Sequence, residues 1–242
     1  MAEKTVAAKE SDEKAVSEKV ASEKAASEGE VRAEKAPSSE PDKAQEPGDQ
    51  DSGHIPDGPL EEYEEGRLKS IAHYKDNLLE GEMRLYNDEG LLEQKMTYQR
   101  GRLHGLSEFF KEGMLIMQAF FKEGVQEGPQ TYYHENGLPS MRTTYVEGKK
   151  QGLSLVYNDQ GVVAESFFYE NDLKAGRVLR YYPSGMLLQE GAFNNDVEEG
   201  DWYTYSAEGQ LMSWTVYSSG HVIHGPVDYD AQGNEIVDKK KA

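Results

Sequence analysis

Six histidines, His54, His73, His104, His134, His221 and His224, are the side chains best suited to hold a metal or move a proton near neutral pH. They are scattered along the chain, and only His221 and His224 lie close together. On a strand, a spacing of three sends those two to opposite faces, which predicts no shared metal site. Cysteine is absent, which removes thiol catalysis, disulfides and thiolate zinc sites. Ser184 and Ser219 stand in turn-like segments, and no Gly-x-Ser-x-Gly elbow surrounds either. Gly148-Lys149-Lys150 lacks the upstream glycine and the hydroxyl of a phosphate loop. The turns Asn87-Asp88-Glu89 and Asn194 to Gly200 offer oxygens to calcium, but ordinary solvated turns have the same composition. Carboxylates are abundant, yet no pair has a spacing that singles it out for acid–base work. The expectation is a chain with no catalytic residue, no cofactor and no metal.

Recognition is the chemistry that remains, and the elements that would carry it are repeated. Seven glycines, Gly81, Gly105, Gly128, Gly152, Gly176, Gly200 and Gly225, recur every 23–25 residues. A regular period of this size marks stacked supersecondary units. Five residues after the glycine comes an aromatic, as at Tyr86, Phe110, Tyr133, Tyr157, Tyr181 and Tyr205. A turn glycine follows, as in His134-Glu135-Asn136-Gly137, and then an aliphatic such as Leu92, Val163 or Leu187. A second aromatic closes the unit, from Tyr74 and Tyr98 through to Tyr169, Phe193 and Tyr217. A Gly, Asn or Asp turn leads into the next unit. Leu92, Gln94, Met96 and Tyr98 alternate onto one face, and no segment keeps a helical period. The plan is strand, turn, strand, turn. It predicts an all-β array of two antiparallel strands per unit, some fifteen strands in an elongated twisted sheet.

Aromatics at repeated positions are structural, because copies in adjacent hairpins can stack. Those at positions the repeat leaves non-aromatic are the better recognition candidates: Trp202, Trp214, Phe109, Phe120, Phe168 and Tyr182. Trp202, Tyr203 and Trp214 are the candidate partner-binding residues, because Trp and Tyr dominate interface hot spots. Trp202 stands three residues from Tyr205 and Trp214 three from Tyr217, which by alternation puts both tryptophans on the face free of repeat aromatics. The competing reading makes them a cap over the end of the array.

The units Gly81–Gly105 and Gly128–Gly152 resemble the MORN-repeat variant of bacterial proteins, whose pattern is Gly, one or two Tyr, Asn-Gly, Leu, Tyr and Gly-x-x-x-Gly in order. The resemblance covers about residues 58–233. Asp172 and Asp196 replace the first glycine of the Gly-x-x-x-Gly element in two units, which leaves the turn type open there. Bacterial proteins of this type include the YwqK-family antitoxins, so the resemblance implies a binding or immunity role.

Residues 1–57 contain Ala, Glu, Lys, Ser, Pro and Gly without an aromatic, and are expected to form a disordered or partly helical leader. Residues 58–235 form the array, and 236–242 a basic tail. The net charge of −19 disfavours nucleic acid and anionic membranes and favours a basic partner. No apolar stretch has the length of a signal peptide or membrane span, so the expected location is cytoplasmic. The expected function is a non-catalytic protein-interaction module, the antitoxin or immunity partner of a basic toxin. A self-associating structural scaffold is the alternative, and an enzyme or membrane binder is third.

Overall fold

A computed structural model describes residues 54–236; the expected leader up to residue 53 and the tail from 237 lie outside the described residues. The strands are β1 Gly58–Glu64, β2 Arg67–Lys75, β3 Leu78–Tyr86, β4 Leu92–Gln99, β5 Arg102–Lys111 and β6 Met114–Lys122. They continue with β7 Val125–Tyr133, β8 Pro139–Val146, the two-residue β9 Lys149–Lys150, β10 Gly152–Tyr157 and β11 Val163–Glu170. The last are β12 Leu173–Tyr181, β13 Leu187–Asn194, β14 Val197–Tyr205, β15 Leu211–Ser218 and β16 His221–Asp228. All lie in one antiparallel sheet, in which each strand pairs with its sequence neighbours, except that β8 pairs with both β9 and β10. This is the expected all-β array of tandem hairpins, a single twisted sheet that does not close on itself.

Two kinds of turn produce it. Within a unit, Asn87 N–H donates to the Leu91 carbonyl at 2.9 Å, while Asn87 Oδ1 accepts from Glu89 and Leu91 N–H at 3.0 and 2.9 Å. Asn158 and Asp230 repeat this device, as does Ser206 with its hydroxyl. These oxygens therefore serve the backbone, as Asx turns do. Between units, both central residues take positive φ, for example Arg100 at 49° and Gly101 at 76°. That is the type I′ geometry which matches strand twist.

Asn171-Asp172 at 50° and 72° and Asn195-Asp196 at 52° and 65° adopt the same turn, so the missing glycines change nothing in its type. The aspartates are compensated. Each backbone N–H donates to a carbonyl of the preceding unit, Asp172 to Lys150 at 3.1 Å and Asp196 to Lys174 at 2.9 Å. Their side chains then accept from those same residues' N–H, at 2.8 and 2.7 Å. A glycine such as Gly101 makes only the first bond, to Leu79 at 2.8 Å.

The opening glycines mark bulges. Met96 pairs with Ser107 but Tyr98 with Leu103, so β5 carries two extra residues around Gly105, whose φ is 94°. Within each unit the closing aromatic lies opposite the opening glycine, as in Tyr98 with Gly81, Phe121 with Gly105 and Tyr145 with Gly128. A bare backbone leaves room for the ring.

With no second layer, the core is a row of side chains running across the strands. It passes through Ala72, Met83, Met96, Ser107, Ala119, Gln130 and Thr143, which are cross-strand partners in turn. It continues through Ser154, Phe167, Val178, Gly191, Trp202 and Thr215. Most of these are buried. Sizes along the row compensate each other: Ala72 faces Met83, Met96 faces Ser107, and Ala119 faces Gln130. At Thr143 and Ser154 a 2.6 Å hydroxyl hydrogen bond replaces apolar contact. The apolar packing is densest toward the C-terminal end, around Phe167, Val178 and Trp202.

Candidate interaction surface

Trp202 belongs to the core. It is 5 % exposed and packs edge-on against Phe193 and Tyr217, with ring centroids 5.4 and 5.9 Å away. Its indole covers Gly191 so closely that a Cβ there would come within 2.2 Å of Trp202 Cδ2. The Trp202 indole N–H has no hydrogen-bond partner among the described residues, so packing is what holds the ring.

The tryptophans do not share a face. Trp202 pairs with Thr215, whereas Trp214 pairs with Tyr203, one position along each strand, and neighbouring positions point to opposite sides. Alternation does separate Trp202 from Tyr205 and Trp214 from Tyr217. The expectation failed because the repeat aromatics occupy both faces. Tyr217 lies with Trp202 on the core-row face, while Tyr205 reaches Glu190 on the other. Of the three candidates, Tyr203 and Trp214 are half-buried surface residues, and Trp202 is not accessible.

Trp214 is fixed in place: its indole N–H donates to Asp201 Oδ1 at 2.8 Å, and its ring lies 4.8 Å from that of His224. His224 pairs with Val216 and His221 with Ser218, positions two apart on β15, so both histidines face the same way. The predicted opposite faces are overturned by a bulge in β16, which inserts one residue between Val222 and His224. Among the described residues no three His, Cys, Asp or Glu side chains gather into a metal-binding group.

The other non-repeat aromatics are dispersed. Phe120 and Phe168 lie on the face opposite the core row, 39 % and 43 % exposed. Phe109 is half-buried on the core-row face, and the Tyr182 hydroxyl donates to the Tyr205 carbonyl at 2.9 Å.

Charges on the face opposite the core row pair across strands. Lys95 contacts Glu108 at 3.1 Å and Glu82 at 3.6 Å, and Gln118 donates to Glu108 at 2.9 Å. Partial burial alone would raise Glu108, but Gln118 and Lys95 hold its carboxyl below the usual range. On the core-row face, burial raises the phenols of Tyr98 and Tyr169 and pushes Tyr145 up to about 12. Cations cover rings on this face: Lys174 Nζ lies 4.2 Å from the Phe167 centroid and Lys150 Nζ 5.0 Å from that of Tyr169. These groups pair charges across strands and cover rings.

Residues 174–195 match the MORN repeat variant. The match spans the β12–β13 hairpin and its closing turn, one unit of the array. Because the other units share its plan, the match supports a MORN-repeat protein. No curated protein matches the chain. Among solved structures, the chain is similar to accessory secretory protein 1,2 and 3 in Streptococcus pneumoniae, at 18 % identity over 43 % of this chain and 19 % of that one, with a TM-score of 0.28. It is similar to TarM at 15 % identity over 48 % and 21 %, with a TM-score of 0.29. A Bacteroides fragilis protein of unknown function overlaps at 9 % identity over 67 % and 92 %, with a TM-score of 0.14. The aligned portion is about a fifth of each of the first two chains, and overlaps this weak bear on neither fold nor function here.

Proposed function

We propose that the MORN-type array is a non-catalytic protein-interaction module. The observation that carries this is the open, single-layer sheet, which leaves aromatic side chains exposed on its surface, Phe120 and Phe168 among them. Equivalent positions at a fixed spacing suit recognition of an extended partner. MORN repeats generally serve protein or membrane interactions, which supports the reading. The net charge of −19 favours a protein over an anionic membrane or nucleic acid. In the finer form of the proposal, the chain acts in the cytoplasm as the antitoxin or immunity partner of a basic toxin. The test is co-purification of the full chain with proteins encoded beside its gene, alongside light scattering of the chain alone. A saturable complex with a neighbouring gene product supports the reading. Self-association without any partner would instead make the chain a scaffold.

A further inference from the structure

We propose that the face carrying Tyr203, Trp214 and His224 binds an arginine-bearing, cationic segment of another protein. The inference rests on the interaction-module reading and names the partner's chemistry. Tyr203 and Trp214 are direct cross-strand neighbours, and the next residue of that row, across from Tyr203, is Glu190. One carboxylate orients the indole, through the 2.8 Å bond from Trp214 to Asp201. The array already shows how it holds guanidinium groups. Arg177 meets Glu190 at 2.7 Å on this same face, and Arg180 and Arg142 each lie 5.7 Å from a ring centroid, over Trp202 and Tyr157. Among the described residues, no lysine or arginine covers Trp214.

The chain's own sequence offers few cations nearby. Between Arg180 and the last described residue, Ile236, there is no lysine or arginine, while that stretch holds nine carboxylates: Glu190, Asp196, Glu198, Glu199, Asp201, Glu208, Asp228, Asp230 and Glu235. The field over this end of the array attracts cations, and the planar indole beside Asp201 favours a guanidinium, which stacks and donates at once.

The experiment is calorimetric titration of the full chain with an oligo-arginine peptide and, separately, an oligo-lysine peptide of equal length. The proteins are the parent chain and its Trp214→Leu, Trp214→Phe, Asp201→Asn and Glu93→Gln variants. Oligo-arginine should bind more tightly than oligo-lysine. Trp214→Leu should weaken it about fivefold, as loss of a cation–π contact predicts. Asp201→Asn should weaken it as well, Trp214→Phe should retain part of the affinity, and Glu93→Gln, on the distant β4, should leave it unchanged. Circular dichroism checks folding; if Trp214→Leu does not fold, Trp214→Phe and Asp201→Asn decide. Equal affinity for both peptides, affinity indifferent to Trp214, or no binding would overturn the proposal. A protein partner whose affinity survives Trp214→Leu would defeat this surface while leaving the interaction module standing. Failure to find any protein partner would defeat the broader reading instead.

Discussion

Exchanging the contents of one core position tests the packing that holds the single-layer sheet together. Gly191 and Trp202 meet in the core row, and one unit earlier the equivalent residues are Phe167 and Val178, 3 % and 1 % exposed. Gly191→Phe alone must expel the indole, since even a Cβ would fall 2.2 Å from Trp202 Cδ2, and should cost at least about 3 kcal/mol. Trp202→Val alone removes the edge contacts to Phe193 and Tyr217 and should also cost about 3 kcal/mol. The double variant recreates the Phe–Val pair of the preceding unit and should lie within about 1.5 kcal/mol of the parent. The coupling would then be several kcal/mol in the favourable direction. For an array of this length, each single variant should lower the melting temperature by about 6–12 °C, with most of the loss restored in the double. Thermal and urea melts followed by far-ultraviolet circular dichroism read this directly. Costs that simply add would refute the idea that volumes along the row are matched in pairs.

Other expectations follow from the turns and phenols. Tyr145 has its pKa raised from 10.0 to about 12, so the folded state holds that proton more tightly. Its contribution is fully present below about pH 10 and is lost as the pH rises toward 12. Phenol absorbance should therefore rise together with alkaline unfolding, and Tyr145→Phe should make stability less steep across that window. Asp172→Ala should cost about 1–2 kcal/mol, because it loses the bond to Lys150 N–H while leaving a side chain at φ 72°; Asp172→Gly should cost less, and chemical denaturation ranks the two. Removal of residues 1–53 should leave the melting curve in place. Removal of 1–57 should lower it, because Ile55 N–H donates to Asn77 at 2.8 Å and Asp57 accepts from Asp76 N–H at 2.9 Å in the first closing turn.

The array was legible in the sequence because glycine and aromatic spacing encodes it directly. A glycine every 23–25 residues marks the bulges, and a glycine three residues after Asn87, His134, Asn158, Tyr182, Ser206 or Asp230 marks the turns within units. The side-chain faces were less legible. Alternation fixes which residues of one strand lie together, but a bulge resets it, as at Val222 to His224. The two aromatic positions of each unit fall on opposite faces, which the spacing within one strand does not reveal. The core row was also hidden, since Ser107, Gln130, Thr143 and Ser154 look like surface residues by type and are buried by position. One signal was available for Trp202. Gly191 is a glycine inside a strand, outside the repeat's glycine positions, and such a residue marks a close approach.

On the proposed reading, the array works by holding another protein. The most direct test is calorimetric titration of the purified full chain with whichever protein co-purifies with it from its native source. Saturable binding at fixed stoichiometry is expected, with an affinity of about 10 µM or tighter that weakens as salt rises. Absence of heat or saturation with every co-purifying protein, or turnover of one of them by the chain, would contradict it.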